Sequence, residues 1–280
     1  MIGPLRQALR QSWTAPGGRT GLVVLLSMAV IVLLAPPWLA DPAAIPDAAA
    51  GALAPGTGHL FGTDQLNRDV LARLVTGGRV SLMIAGLAVA LAMTLGAGVG
   101  LVAGYAGGLI DTILTRLVDG ALAIPRIFLL LLLVLVWERV PVGALIVALG
   151  ITGWLETARL VRGEVLRLRG EPYVLAARAL GASPARIILH HLLPNAMGPL
   201  LVAATLGLGD VILLEAGLSF LGLGIQPPTP SWGVMILEAR PILLSAPWAG
   251  LFPGAAIVIT VLAANLVGDA LQSALDPRTA

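Results

Sequence analysis

The stretch "AARALGASPARIILHHLLPN", Ala176–Asn195, lies between two strongly hydrophobic parts of the chain. It contains two arginines, Arg178 and Arg186, two adjacent histidines, His190 and His191, and a Gly-Ala-Ser-Pro break. A polar segment at this position decides how the rest of the chain is interpreted, because it interrupts an otherwise strongly hydrophobic sequence.

Local sequence signals predict two short helices here. The residues "EPYVLAARAL", Glu171–Leu180, are mainly strong helix formers, and Gly181 stands where such a helix would end. Ser183 suits a helix N-cap and Pro184 the first helical position, so a second helix is predicted to begin there and to end at Pro194. The segment is therefore predicted to be a compact helical hairpin. It either packs on the chain's own hydrophobic helices or docks on a partner, and these signals favour neither interpretation.

The composition predicts that this hairpin belongs to an integral membrane protein. Of the 280 residues, 58% are hydrophobic and 11% are charged, and the mean hydropathy is +0.94. Several apolar windows reach the roughly 20 residues that cross a hydrocarbon core, and continuous apolar runs favour helices over barrel strands. We predict an all-α membrane protein with six spans: Gly21–Ala40, Ser81–Gly104, Arg116–Trp137, Pro141–Leu160, Gly198–Leu223 and Trp248–Leu271. A cleavable signal peptide is the alternative for the first span, whose length favours an uncleaved anchor.

The distribution of arginine predicts the orientation in the membrane. If the amino terminus is cytoplasmic, eleven arginines lie in inside segments, five lie in outside segments, and Arg126 is left in the membrane. This bias places both termini and the hairpin in the cytoplasm. The predicted divisions are a cytoplasmic tail (1–20), a first span (21–40), a periplasmic loop (41–80), a five-helix core (81–272) that includes the hairpin loop (161–197), and a cytoplasmic tail (273–280).

Missing residue types exclude several functions. All 17 basic residues are arginine, so the chain has neither the lysine of a P-loop nor a Schiff-base lysine. The absence of cysteine excludes disulfides and thiolate metal sites, and the net charge of +2 is too small to indicate nucleic-acid binding. Adjacent histidines on a helix point to different faces, so we expect no metal site at His190 and His191, and no cofactor.

Several segments resemble one known family. The opening stretch resembles the EAA loop of ABC importer permeases, which docks on the ATPase subunit. Further segments resemble the dipeptide/oligopeptide/nickel permease family, within it the C-type permease, from about residue 20 to the end of the chain; they are "FGTDQLNRDVLARLVTGGRVSL", "GYAGGLIDTILTRLVDGALAIP", "ARLVRGEVL", "LEAGLSFLGLGIQPPTPSWG" and "LFPGAAIVITVLAANLVGDALQSALDPR".

Three positions depart from the family pattern. Leu175 stands where the EAA triplet usually has glutamate, which removes one polar contact with the ATPase. Asn67 replaces a usual glycine in the G-T-D-x-x-G-R-D stretch. Arg126 follows Pro125 where a small or apolar residue is more usual.

The resemblance implies a fold, partners and a mechanism. The fold is that of a type I ABC importer permease with a cytoplasmic coupling helix, in a bacterial or archaeal cytoplasmic membrane. The implied partners are a second homologous permease, two cytoplasmic ATPase subunits, an extracytoplasmic solute-binding protein and membrane lipid. The chain itself is then not an enzyme, and its cargo is a peptide, nickel or another small solute. The residues implied to dock on the ATPase are Ala176, Ala177, Arg178, Gly181, Ala182, Ser183, Pro184 and Arg186.

Two acidic residues in the fifth span carry the alternative hypothesis. Asp210 and Glu215 are costly inside a membrane, which makes a functional role the default, and they could form the coupling site of an ion-driven secondary transporter. Five helical residues rotate by about 500°, so the two acids do not share a face. For Glu215 a structural hydrogen bond is favoured over substrate contact, because such residues often connect helices.

Other charged and small residues indicate helix packing. Asp119 is predicted to pair with Arg116 one turn away, and it remains a candidate for the pathway or for helix packing. Arg126 is expected to snorkel or to face the subunit interface rather than to bind ligand. Gly96, Gly100 and Gly104 recur at four-residue spacing, which predicts close helix packing.

Overall fold

The computed structural model describes residues 15–35, 39, 41, 44 and 51–275. Within this part of the chain the only β-type pairing is one isolated bridge, between Thr63 and Asp69. The predicted tails and the stretch from residue 36 to 50 lie wholly or largely outside the described residues. The α-helices are α1 (Pro16–Leu34), α2 (Val70–Ala106), α3 (Gly108–Leu122), α4 (Arg126–Val134), α5 (Val142–Leu168), α6 (Pro172–Ala179), α7 (Pro184–Ile187), α8 (Leu193–Phe220), α9 (Trp232–Ala239) and α10 (Trp248–Leu275).

Five helical segments are long and apolar enough to cross a membrane. A sixth span results if the bent pair α3 and α4 is counted as one. The prediction of an all-α membrane protein is confirmed for the described residues, which hold five candidate spans, or the predicted six if the bent pair is counted.

The third predicted span, Arg116–Trp137, is not a continuous helix. The structure has α3 and α4 instead, which meet at an angle of 83°. Pro125 is the N-cap residue of α4, and its ring disfavours helical geometry in the residue before it, so the two helices separate at this point.

Helix ends differ from the predicted ones. The first helix covers Pro16–Leu34 rather than residues 21–40, and the sequence continues with two prolines, which do not extend a helix. Helix α2 begins at Val70, so residues 70–80 are helical although they were predicted as part of a loop. The Asp69 side chain caps α2 by accepting a hydrogen bond from the Ala72 amide at 2.8 Å.

The two ends of the helix bundle are built differently. One end, called here the loop end, carries residues 51–69 and helix α9. The other end, called here the hairpin end, carries residues 169–192. Helices α2 and α5 run parallel from the loop end to the hairpin end, because the residues that meet at the glycines occur in the same order along both helices. Helix α8 runs in the opposite direction.

Glycines allow α2 and α5 to pack backbone against backbone. A Cβ atom added at Gly100 would lie 2.6 Å from the Ala158 carbonyl oxygen, and one added at Gly104 would lie 2.8 Å from Val165 Cβ. The close packing predicted from the four-residue glycine spacing is therefore confirmed.

A buried ion-pair cluster fixes the loop end. Arg73 forms ion pairs with Asp64 and with Glu238 of α9, the latter at 2.5 Å between Nη2 and Oε2. Arg68 reaches the same two acids, at 2.7 Å from Nε to Asp64 Oδ2 and at 3.0 Å from Nη2 to Glu238 Oε1. We call Asp64, Arg68, Arg73 and Glu238 the loop clamp, because it joins residues 51–69 to α9.

Asn67, the second position that departs from the family pattern, lies beside the loop clamp. Asn67 lies between two clamp residues with a φ of +57°, in the left-handed region. Asparagine tolerates this region better than most residues with a side chain, so it can occupy a position where the family usually has glycine.

Candidate functional site

The helical hairpin agrees with the structure predicted from its local sequence signals, except at its last turn. Helix α6 ends before Gly181, which has a φ of +77°, and the Ala182 amide donates to the Ala177 carbonyl oxygen at 3.0 Å. Ser183 caps α7 by accepting from the Arg186 amide at 3.4 Å. The side chains of this segment are thus displayed on a defined, compact turn.

The second hairpin helix does not end at Pro194. A π turn, Ile188–Leu192, follows α7 and leads directly into α8, with Pro194 in its first turn. The first turn of a helix has no intrahelical use for the N–H that proline lacks. The Asn195 side-chain amide donates to the His191 carbonyl oxygen at 2.6 Å, which satisfies a backbone acceptor at the junction. The hairpin is therefore continuous with a membrane helix.

The inner face of the hairpin packs on the helix bundle. Val174, Ile187 and Leu192 are fully buried, and they belong to one apolar cluster with residues of α2 and α5, including Leu101 and Val165. Each buried aliphatic side chain of this size contributes about 1.5–3 kcal/mol. The hairpin is held in place on the bundle without any partner.

The outer face of the hairpin is exposed and partly apolar. Leu180 is 88% exposed and Leu175 50% exposed, and Ala176 beside them is exposed as well. Arg178 is also exposed, with its guanidinium carbon 5.4 Å from the centre of the Tyr105 ring at the end of α2. A leucine exposed to this extent beside small residues marks a surface suited to contact with another protein.

The eight residues that the family resemblance implies for docking lie together on this hairpin. Gly181, Ser183, Pro184 and Arg186 are exposed, whereas Ala177 and Ala182 are half-buried. All eight lie in the second half of α6, in the following loop and in α7, and their docking on an ATPase stays a prediction.

Glu215 lies buried in the interior of the helix bundle. Its carboxylate accepts hydrogen bonds from the hydroxyls of Ser219, at 2.9 Å, and of Ser81 on α2, at 3.1 Å. Ser81 Oγ in turn accepts from the Trp232 amide at 3.2 Å, so the network joins α2, α8 and α9. With 1% of its surface exposed, Glu215 has the surroundings of a residue that connects helices.

Asp210 has a different environment. It is exposed in this chain and lines a cavity, while Glu215 is buried five residues later on another face of α8. The two acids do not form one site.

The predicted pair of Arg116 and Asp119 is wrong. Asp119 instead forms an exposed ion pair with Arg159 of α5, at 2.6 Å between Oδ1 and Nη2. The next ion pair along these helices is Asp111 with Arg162, at 2.5 Å between Oδ1 and Nε. Because α3 packs antiparallel on α5, arginines of α5 lie opposite the acids of α3. Asp119 thus contributes an exposed ion pair between α3 and α5.

Arg126 lies across α5. Its Nη2 donates to the Leu149 carbonyl oxygen at 3.0 Å, and its Nε donates to Thr152 Oγ1 at 3.3 Å. The same cavity that Asp210 lines is also lined by Arg126 and by Glu156. Sequence reasoning missed Glu156, although an acid near the end of the fourth predicted span was a signal that could have found it.

Comparison with known proteins identifies the family. Residues 96–280 match the family described as "Binding-protein-dependent transport system inner membrane component". This match covers the hairpin, α8 and the charged cavity residues Arg126, Glu156 and Asp210. The chain belongs to this family.

Three relatives are similar in sequence over 80% to 99% of this chain. The chain is 40% identical to the dipeptide transport system permease protein DppC of Alkalihalophilus pseudofirmus, over 99% of this chain and 91% of the relative. It is 42% identical to the oligopeptide transport system permease protein OppC of Bacillus subtilis, over 80% and 73% respectively. It is also 44% identical to the dipeptide transport system permease protein DppC of the same organism, over 81% and 71%.

The family and these relatives establish the general function. The chain is a multi-pass membrane permease subunit of an ABC importer. Members of such a family work with ATPase subunits and a solute-binding protein. The comparisons support this function over the ion-coupled secondary transporter.

Proposed function

We propose that the chain forms one half of the translocation pathway of a peptide importer. It pairs with a second, related permease, receives di- or oligopeptides from an extracytoplasmic binding protein, and is driven by two ATPase subunits. The names of the relatives, which are dipeptide and oligopeptide permeases, support peptides as the cargo. ATP hydrolysis takes place in the separate ATPase subunits, in keeping with a chain that contains no lysine.

The observation that carries the coupling part of the proposal is the two-faced hairpin. Its inner face is fixed by Val174, Ile187 and Leu192, and its outer face around Ala176 and Leu180 is exposed. In this proposal the outer face binds a groove of an ATPase subunit, and closure of the ATPases moves the hairpin. The exposed Leu175 then replaces a polar contact with an apolar one.

The orientation follows from the same assignment. The hairpin end and both termini face the cytoplasm of a bacterium or archaeon, and the loop end faces outward. The arginine bias of eleven against five supports this orientation. The loop clamp then lies on the side where the binding protein delivers its solute.

A bulky substitution on the outer face tests the proposal. Ala176→Trp adds a large side chain at an exposed position, so the helix bundle has no need to rearrange. We expect the variant to retain its partner permease during purification in detergent but to lose the ATPase subunits. Arg167→Trp, also exposed at the hairpin end but outside the hairpin, is the matched control and is expected to retain them.

Transport measurements separate the two general mechanisms. In proteoliposomes that hold the complete importer, dipeptide uptake is expected to require ATP and the binding protein. Uptake that persists after ATP depletion but stops when the ion gradient is removed would support a secondary transporter and overturn the proposal.

A further inference from the structure

A charged cavity lies in the middle of the helix bundle. It has a volume of about 300 Å³ and is lined by residues of α2, α4, α5 and α8. Its walls are mainly apolar, and its charged residues are Arg126, Glu156 and Asp210. The volume lies at the small end of the range for ligand pockets, about 300–1,000 Å³.

The guanidinium of Arg126 is fixed at the cavity wall. It uses two N–H groups for Leu149 and Thr152, and among the described residues its other three have no hydrogen-bond partner. Gly153 makes room for it, because a Cβ atom there would lie 2.8 Å from Arg126 Nη2. The result is a positioned cation with free donors.

The two carboxylates at the cavity are not neutralised by contact. In the described part of the chain, neither Glu156 nor Asp210 has a hydrogen bond or an ion pair within 4.0 Å, and both are exposed. Both nevertheless lie close enough to Arg126 to interact with it electrostatically. The clamp pair of Arg73 and Glu238 differs, since it is buried and in direct contact.

Charges at membrane depth that lack direct partners need water, a ligand or another protein beside them. Intramembrane ionisable residues face a water-filled cavity or another protein, and they mark solute pathways. An anionic ligand would be repelled by Glu156 and Asp210, and a cationic one by Arg126. A ligand that carries both charges is matched by all three residues.

We propose that this cavity binds the charged ends of a zwitterionic peptide during passage. The peptide carboxylate binds the free N–H groups of Arg126, and its ammonium group lies between Glu156 and Asp210. The assignment rests on the proposed function as a peptide permease, and it adds a residue that departs from the family pattern. Planar bidentate contact between guanidinium and carboxylate suits arginine at this position.

Direct binding tests the assignment. The complete importer without its binding protein is placed in nanodiscs, and the binding of tritiated dialanine is compared with that of its C-terminal amide, which has no carboxylate. The wild type is expected to bind the free acid about tenfold more tightly, as befits one charge-assisted hydrogen-bond pair. Arg126→Gln is expected to lose this preference, whereas Arg139→Gln, which removes an exposed arginine outside the cavity, is expected to keep it.

The ammonium side has its own comparison. The double variant Glu156→Gln with Asp210→Asn is expected to weaken dialanine binding by about tenfold but not to weaken the binding of N-acetyl-dialanine, an anion that the two carboxylates repel in the wild type. Each variant is tested only if it purifies as an intact complex with wild-type yield. If Arg126→Gln does not assemble, Arg126→Lys, which keeps the positive charge, is the second variant.

The failure of this inference is distinct from that of the proposed function. A wild-type importer without ATP-driven dipeptide uptake contradicts the proposed function. A wild type that takes up dipeptide but shows no preference for the free acid, or an Arg126→Gln variant that keeps the preference, overturns the zwitterion site alone.

Discussion

At the scale of single residues, Glu215 shows how surroundings decide a role that sequence leaves open. An acid in a membrane span indicates function, yet this carboxylate accepts hydrogen bonds from Ser81 and Ser219 and is buried where three helices meet. A group used in this way connects α2, α8 and α9 through hydrogen bonds.

Substitution of Glu215 separates the two roles. Glu215→Gln keeps one acceptor oxygen and places an amide N–H donor at the other position, from which a serine hydroxyl oxygen can accept, so complex yield and peptide uptake are expected to stay near wild type. Glu215→Leu leaves two buried hydroxyls without their acceptor and is expected to cost about 1–3 kcal/mol for each unpaired group. Yield and thermal unfolding of the purified complex measure this loss. Normal assembly of Glu215→Gln with lost uptake would instead indicate a direct part in transport.

At the scale of elements, the loop clamp determines how residues 51–69 are attached. Its four charges are almost completely buried and pair with one another, so the removal of one leaves an uncompensated charge. The attachment is strengthened by stacking of Phe61 on Phe252, whose ring centres are 4.1 Å apart.

Loss of one clamp charge has a predicted cost. Glu238→Gln is expected to destabilise the loop end by about 3–5 kcal/mol, because Arg68 and Arg73 lose their shared carboxylate. Glu164→Gln breaks the ion pair with Arg167, whose side chain is 60% exposed, and is expected to cost less than about 1 kcal/mol. Thermal unfolding of both purified variants gives the comparison, and equal effects would contradict a special role for the clamp.

The contact between α2 and α5 supplies a second prediction for elements. Gly100→Ala would place a Cβ atom 2.6 Å from the Ala158 carbonyl oxygen, so the helices must separate and the expected loss is about 1–3 kcal/mol. Gly98→Ala has nothing within 4 Å and is the matched control, with a neutral or slightly stabilising effect expected from helix propensity. A thermal-shift assay distinguishes them. Similar melting temperatures for the two variants would show that the helices are not held by this contact.

At the scale of the whole molecule, the sequence predicts the number of membrane spans better than it predicts where their helices begin, bend and end. Long apolar windows locate helices because burial in lipid requires them. The bend between α3 and α4 is not predicted from the sequence, although Pro125 is visible. An apolar run on both sides of a proline also occurs in single membrane helices that are only kinked. The true start of α2 was missed because a capped helix extending beyond the membrane is not marked by hydropathy.

The candidate site was predictable where it depended on local signals. Gly181 and Ser183 define the hairpin through φ preference and capping, which act within a few residues. The cavity depends on residues from four helices, and no local rule brings Arg126 beside Glu156. Even the pairing of Asp119 with Arg159 required knowledge of which helices are neighbours.

The close packing of α2 on α5 has a mechanical consequence. Helices whose backbones touch along several turns cannot slide past each other, so the pair moves as a rigid body. The hairpin is seated on the ends of this pair and continues into α8, and these helices also supply most walls of the charged cavity, including Glu156 and Asp210. A force applied at Ala176 would thus displace the cavity as a block, with its internal geometry preserved. In the proposed importer, access to the cavity would change at its exposed side, where Glu156 and Asp210 lie, and not through disassembly of the cavity itself.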